Sequence, residues 1–95
     1  MIRKVEKTLS AVGKSDSLDI FGDFNFSLSG TWVATVHVQR AQDGSDDFRD
    51  VESFTANGEY VGHEPEGQTK YRFIVKGGNY TSGKIIGRLS KNKAS

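Results

Sequence analysis

From Gly30 to Arg40 the chain reads Gly-Thr-Trp-Val-Ala-Thr-Val-His-Val-Gln-Arg. The even positions Trp32, Ala34, Val36 and Val38 are apolar. Thr31, Val33, Thr35, His37 and Gln39 alternate with them, and β-branched residues are enriched on both sides. A period of two places these two sets on opposite faces of an extended strand, whereas a helix would scatter them around its axis. The segment therefore predicts a strand with one face in a core, with Trp32 sharing that face. The polar run Ala41 to Asp47 ends it, with Asp43-Gly44 as the turn.

The same alternation recurs along the chain. Leu18, Ile20, Phe24, Phe26 and Leu28 share one phase, and Gly22 interrupts it as a bulge or a close backbone approach. Ser29-Gly30 then reads as a short hairpin connection into the Thr31 strand. Phe48 to Thr55 followed by Asn57-Gly58 and Glu59-Tyr60-Val61 predicts a short edge hairpin. Pro65, within His63-Glu-Pro-Glu-Gly67, fits a loop, because proline would interrupt a central strand. Tyr71, Phe73 and Val75 alternate with Arg72, Ile74 and Lys76 before the turn Gly77-Gly78-Asn79. Ile85 and Leu89 then share a face that Lys84, Ile86 and Arg88 do not.

No apolar stripe at helical spacing exceeds two turns, and turn signals recur about every ten residues. The expected fold is all-β: a single-domain antiparallel β-sandwich, or a jelly-roll-like barrel, of about seven strands over residues 1–95. Residues 1–14 form an N-terminal arm or a first strand built on Val5, Lys7, Leu9 and Ala11, and residues 91–95 a polar tail.

Composition narrows the function classes. With 13 basic and 12 acidic residues the net charge is +1, so no overall field draws the chain to nucleic acid or to an anionic membrane. The absence of Cys excludes disulfides, zinc-thiolate sites and thiol nucleophiles together. Met1 to Lys7 has charge but no apolar run after it, so neither a signal peptide nor a membrane span is expected, and synthesis in the cytoplasm is the expectation.

Catalytic motifs are lacking. His37 and His63 have no second ligand at metal spacing, and the acidic group Asp43, Asp46, Asp47 and Asp50 lacks the one-three-five order of a calcium loop. Glu64 and Glu66 flank Pro65 as a glycosidase pair could, but a charged loop is the expected reading. No Ser lies in a nucleophile-elbow sequence. Arg72, Lys76, Lys84 and Arg88, with Tyr80 between them, form a basic and aromatic mixture of the type that binds single strands, although a solvated face or protein interface is the stronger expectation. The chain is accordingly expected to be no enzyme, with no cofactor and no metal.

Gly30-Thr31-Trp32, Gln39-Arg40, Asp43-Gly44, Phe48, Glu64-Pro65-Glu66, Tyr71-Arg72, Tyr80-Thr81-Ser82-Gly83 and Arg88-Leu89-Ser90 follow one another in an order that resembles a group of small phage and prophage virion proteins. The resemblance implies a structural protein of the virion, either a capsid decoration (cement) protein or a head or tail accessory module. Its partners would be the major capsid protein or another virion protein, and copies of itself as a homo-oligomer. The expected partner-binding residues are Ile2, Arg3 and Lys4 in an ordering arm, with Arg72 and Tyr80. The alternative is a carbohydrate- or receptor-binding module of a tail fibre, using Tyr60 or Tyr80.

Overall fold

The computed structural model describes residues 4–42 and 44–91, with the backbone alone at 67 and 68. The described residues form seven strands and no helix: β1 (Lys4–Leu9), β2 (Gly13–Lys14), β3 (Leu18–Ala34), β4 (Val36–Ala41), β5 (Arg49–Phe54), β6 (Gly58–Val75) and β7 (Tyr80–Lys91). Every pairing is antiparallel, in the order β1-β7-β3-β6-β4-β5, with β2 against β6. The all-β antiparallel expectation holds.

The sheet closes over itself as a sandwich does. Three strand spacings, about 14 Å in a flat sheet, separate β3 from β5. The rings of Phe26 on β3 and Phe54 on β5 are nevertheless only 5.4 Å apart, and those of Phe26 and Phe73 are 5.2 Å apart. The long strands β3 and β6 make this possible, because each belongs to both layers. Gly58 to Glu64 of β6 pairs with Leu28 to Gly22 of β3, whereas Lys70 to Ile74 pairs with Ala41 to His37 of β4.

Between those halves the register shifts: Ile20 faces Thr69 but Gly22 faces Glu64, so Phe21 stands opposite the stretch 65–68. Proline, which lacks an N–H, sits in this irregularity without removing a ladder bond. Pro65 therefore lies within β6 and not in the loop expected for it, at the point where the pairing with β3 is interrupted. Phe21, at the same break, is 51% exposed and adds little to the core.

Alternation assigns the core. Leu18, Ile20, Phe24, Phe26 and Leu28 from β3, Val36 and Val38 from β4, Tyr71, Phe73 and Val75 from β6, Ile85 and Leu89 from β7, and Leu9 from β1 are all buried. Gly87 continues the inward phase of β7, and an added Cβ there would lie 2.5 Å from the Phe73 ring. The missing side chain of Gly87 is the space that this ring fills.

Two strand connections differ from the sequence reading. Ser29-Gly30 makes no hairpin: β3 continues unbroken to Ala34 and pairs with β7 along Phe24 to Ala34. The break falls at Thr35, where the chain turns the corner into the other layer. Nor do β5 and β6 form a hairpin, since β5 pairs with β4 and the first half of β6 pairs with β3. Tight-turn residues mark a change of direction but not which strand lies alongside, and burial of both layers decides that. The loop through Gly44 does join a true hairpin, β4 to β5, where the Ser45 N–H donates to the Gln42 carbonyl at 2.9 Å; Asp43 lies outside the described residues.

At the N-terminus Lys4–Leu9 is paired with Ser90 to Ile85. Lys91, placed by sequence in the tail, ends β7, pairs with Phe24 and donates from Nζ to the Asp19 carbonyl at 2.8 Å. Asn92 to Ser95 lie outside the described residues.

Candidate functional site

The residues expected to bind a partner do not converge. Ile2 and Arg3 lie outside the described residues. Lys4 is exposed at the start of β1 and pairs with Glu6 at 3.2 Å, a surface pair of little energetic weight. It sits beside Ser90, some ten residues, or about 33 Å of strand, from Tyr80 at the other end of β7. Tyr80 donates its hydroxyl to the Gly83 carbonyl at 2.8 Å.

Arg72 lies on the outer face of the β4-β5-β6 layer, with its Cζ 3.9 Å from the centre of the Phe48 ring, and donates from Nε to Gln39 Oε1 at 2.8 Å. Gln39 in turn donates to Asp50 Oδ1 at 2.9 Å, and Lys76 donates to Asp50 Oδ2. Arg72 and Lys76 thus stand on one layer and Lys84 and Arg88 on the other. The four cations form no common groove.

The acidic loop disperses into separate pairs. Asp46 accepts from Lys70 Nζ at 2.9 Å, Asp47 pairs with Arg49 at 3.1 Å, and Asp50 belongs to the network of Gln39 and Lys76. Lysine hydrogen bonds hold the Asp46 and Asp50 carboxyls below the ordinary range. Among the described residues no three His, Asp or Glu side chains could hold a metal together.

Glu64 is the residue that sequence reasoning misplaced. Expected in a charged loop, it is 1% exposed. It lies where β6 changes partner, and accepts from Arg40 Nε at 2.7 Å, Arg40 Nη2 at 3.1 Å, the Tyr71 hydroxyl at 2.6 Å and the Glu66 N–H at 2.9 Å. Donation from Arg40, helped by Tyr71 and the Glu66 amide, lowers its pKa from 4.5 to about 2 against the opposing effect of burial. Burial and the neighbouring carboxylate push the Tyr71 phenol up. A general acid of a glycosidase needs a raised carboxyl pKa. Glu64 has the opposite, and it works as a fastener between β4 and the two halves of β6. The signal was in the phase, because Arg40 continues Val36 and Val38 while Glu64 continues Tyr60 and Gly62.

Trp32 is the other site that sequence left half-defined. It packs against the core edge but is only partly buried, and it lines an open cleft of about 330 Å³ with Val33, Ala34, Thr35, Thr55, Gly78, Asn79 and Thr81. The cleft lies at the end of the sandwich where the β3-β4 corner meets the β6-β7 turn. The indole Nε1–H donates to Asn57 Oδ1 at 2.7 Å, and Asn57 Nδ2 donates to the Gly30 carbonyl at 2.8 Å. Asn57, read from sequence as half of a turn dipeptide, fixes the plane of this ring.

Tyr60 and Tyr80, the aromatics expected to meet a sugar, are engaged elsewhere. Tyr60 packs against Phe24 and Phe54, and Tyr80 is held by Gly83.

No protein-family model, no curated protein and no solved structure matches this chain.

Proposed function

We propose that the chain is a non-enzymatic virion structural protein of a phage, a capsid decoration protein that stabilises contacts between capsid subunits. The observation that carries the reading beyond the sequence resemblance is the outer face of the β1-β7-β3-β6 layer. Cross-strand neighbours there are Thr8, Ile86 and Ser29 in one row and Glu6, Arg88, Ser27 and Glu59 in the next. The face mixes short hydroxyl side chains with exposed apolar ones: Ile86 is 43% exposed, Val33 58% and Val61 73%. A non-obligate interface is about as apolar as the rest of a protein surface, and a face of this composition is compatible with docking onto another protein.

The face is a better docking surface than the sheet edges. On the edge strand β1, Lys7 stands in the inward phase between Val5 and Leu9, opposite Gly87. On β5, Glu52 stands in the inward phase opposite Val38, beside a register shift. Inward charges and bulges oppose strand addition.

The test is reconstitution on particles that lack the protein. Wild-type chain should co-sediment with them and raise their resistance to heat, whereas Ile86→Glu should do neither while its own unfolding midpoint stays unchanged. Cryo-EM of the native particle should show the protein on the capsid lattice, and density confined to the tail tip would overturn the proposal.

A further inference from the structure

We infer that the Trp32 cleft is a binding site for a neutral saccharide ring. The inference stands independently of where on a particle the protein resides. Three observations point to it.

First, the lining carries no charged side chain: Trp32, Val33, Ala34, Thr35, Thr55, Gly78, Asn79 and Thr81 offer one indole, three hydroxyls and one carboxamide. The three other described clefts each hold ionic groups: Lys14, Asp16, Asp46 and Arg72 in one, Arg40, Asp47 and Arg49 in the second, Asp23 and Lys91 in the third. In a chain that is 26% charged, an uncharged concave surface selects an uncharged ligand.

Second, the chemistry matches a sugar ring, which has an apolar face of C–H groups and a rim of hydroxyls that both donate and accept. An indole covers such a face, and threonine hydroxyls and an asparagine amide satisfy such a rim in either direction. The volume lies at the low end of the range for small-molecule sites, about 300–1,000 Å³, which suits a single ring.

Third, the platform is built rather than incidental. Asn57 holds the indole N–H and is itself anchored to Gly30. Gly83, the cross-strand partner of Trp32, has φ +91°, and an added Cβ would fall 2.6 Å from the Trp32 Cα. The two backbones therefore approach closely, and Tyr80 ties down the Gly83 carbonyl. A ring fixed before binding loses little freedom on binding.

Trp32 is the one tryptophan of the chain, so its fluorescence reports on this site alone. Titration of the full chain with neutral cello-, malto-, chito- and galacto-oligosaccharides should give a saturable change in emission with at least one of them, at a dissociation constant on the order of 1 mM or tighter. Thr81→Lys, at an exposed position on the rim, should weaken that binding at least about tenfold while the emission of the free protein and its unfolding midpoint stay unchanged. Trp32→Phe, which keeps a ring, should weaken binding less than Trp32→Ala, with folding of both checked by amide NMR spectra.

Three outcomes would overturn the inference. One is no saturable change with any neutral sugar up to about 10 mM. Another is equal binding by Thr81→Lys, and the third is a preference for sulfated or sialylated sugars over neutral ones.

Discussion

Glu64 shows how much one buried carboxylate can organise. It gathers donors from Arg40 on β4, Tyr71 on the second half of β6 and the Glu66 amide between the halves. Glu64→Gln would leave the Arg40 guanidinium facing a neutral amide, with the exposed Glu66 carboxylate at 3.4 Å as its remaining anionic partner, and weakening a buried hydrogen-bonded pair in this way should cost about 1–3 kcal/mol. Chemical denaturation at neutral pH should read that loss. The same residue gives a pH dependence. Its folded pKa lies below its unfolded one, so its stabilisation is complete above pH 4.5 and is lost as pH falls from 4.5 toward about 2. Tyr71→Phe removes one donor to the ionised form, so acid unfolding, followed by circular dichroism, should begin at a higher pH than in the wild type.

At the scale of the element, β7 joins two tight approaches. At Gly87 the Phe73 ring occupies the place of a side chain, and at Gly83 an added Cβ would lie 2.1 Å from the Thr31 carbonyl oxygen. Gly87→Ala should cost about 1–3 kcal/mol, as overpacking of a filled core does. Gly83→Ala should cost more, because backbone cannot yield as a ring can and its φ of +91° disfavours a side chain. Denaturant midpoints of the two variants rank them.

The edge strands carry a separate prediction. Lys7→Val would complete the inward apolar phase of β1 and remove the charge that opposes pairing with another chain. The variant should show a concentration-dependent increase in mass by analytical ultracentrifugation relative to the wild type.

For the whole molecule, the first and last strands are partners, with Lys4 beside Ser90. This pairing, like those of β3 with β6 and β7, joins distant parts of the chain, so folding should be slow for the size of the chain, in the millisecond-to-second range that non-local β topologies show in stopped-flow experiments. Closure also explains which substitutions the molecule tolerates. Val36→Asp places a charge at a position with no solvent exposure, between layers, and should unfold the protein. Thr35→Asp lies at the corner outside both strands, where the backbone N–H already donates to the Asn79 carbonyl at 2.8 Å. It should be tolerated far better, with both variants compared by thermal unfolding.

Alternation by itself determined the class of fold and most of the core, because a strand sends successive side chains to opposite faces whatever its neighbours are. Phe24, Phe26, Val36, Val38, Tyr71, Phe73, Ile85 and Leu89 are buried as their phase requires. Partnership between strands was legible only at the β4-β5 hairpin. The Ser29-Gly30 and Asn57-Gly58 dipeptides both suggested hairpins, yet β3 runs on to Ala34 and β5 pairs with β4, since pairing is decided by closing two layers over one core. The same closure turned Glu64 from a loop residue into a buried one and set Asn57 against Trp32. Those contacts join positions 24 and 25 residues apart, beyond the reach of local pattern, and only the tertiary structure could bring them together.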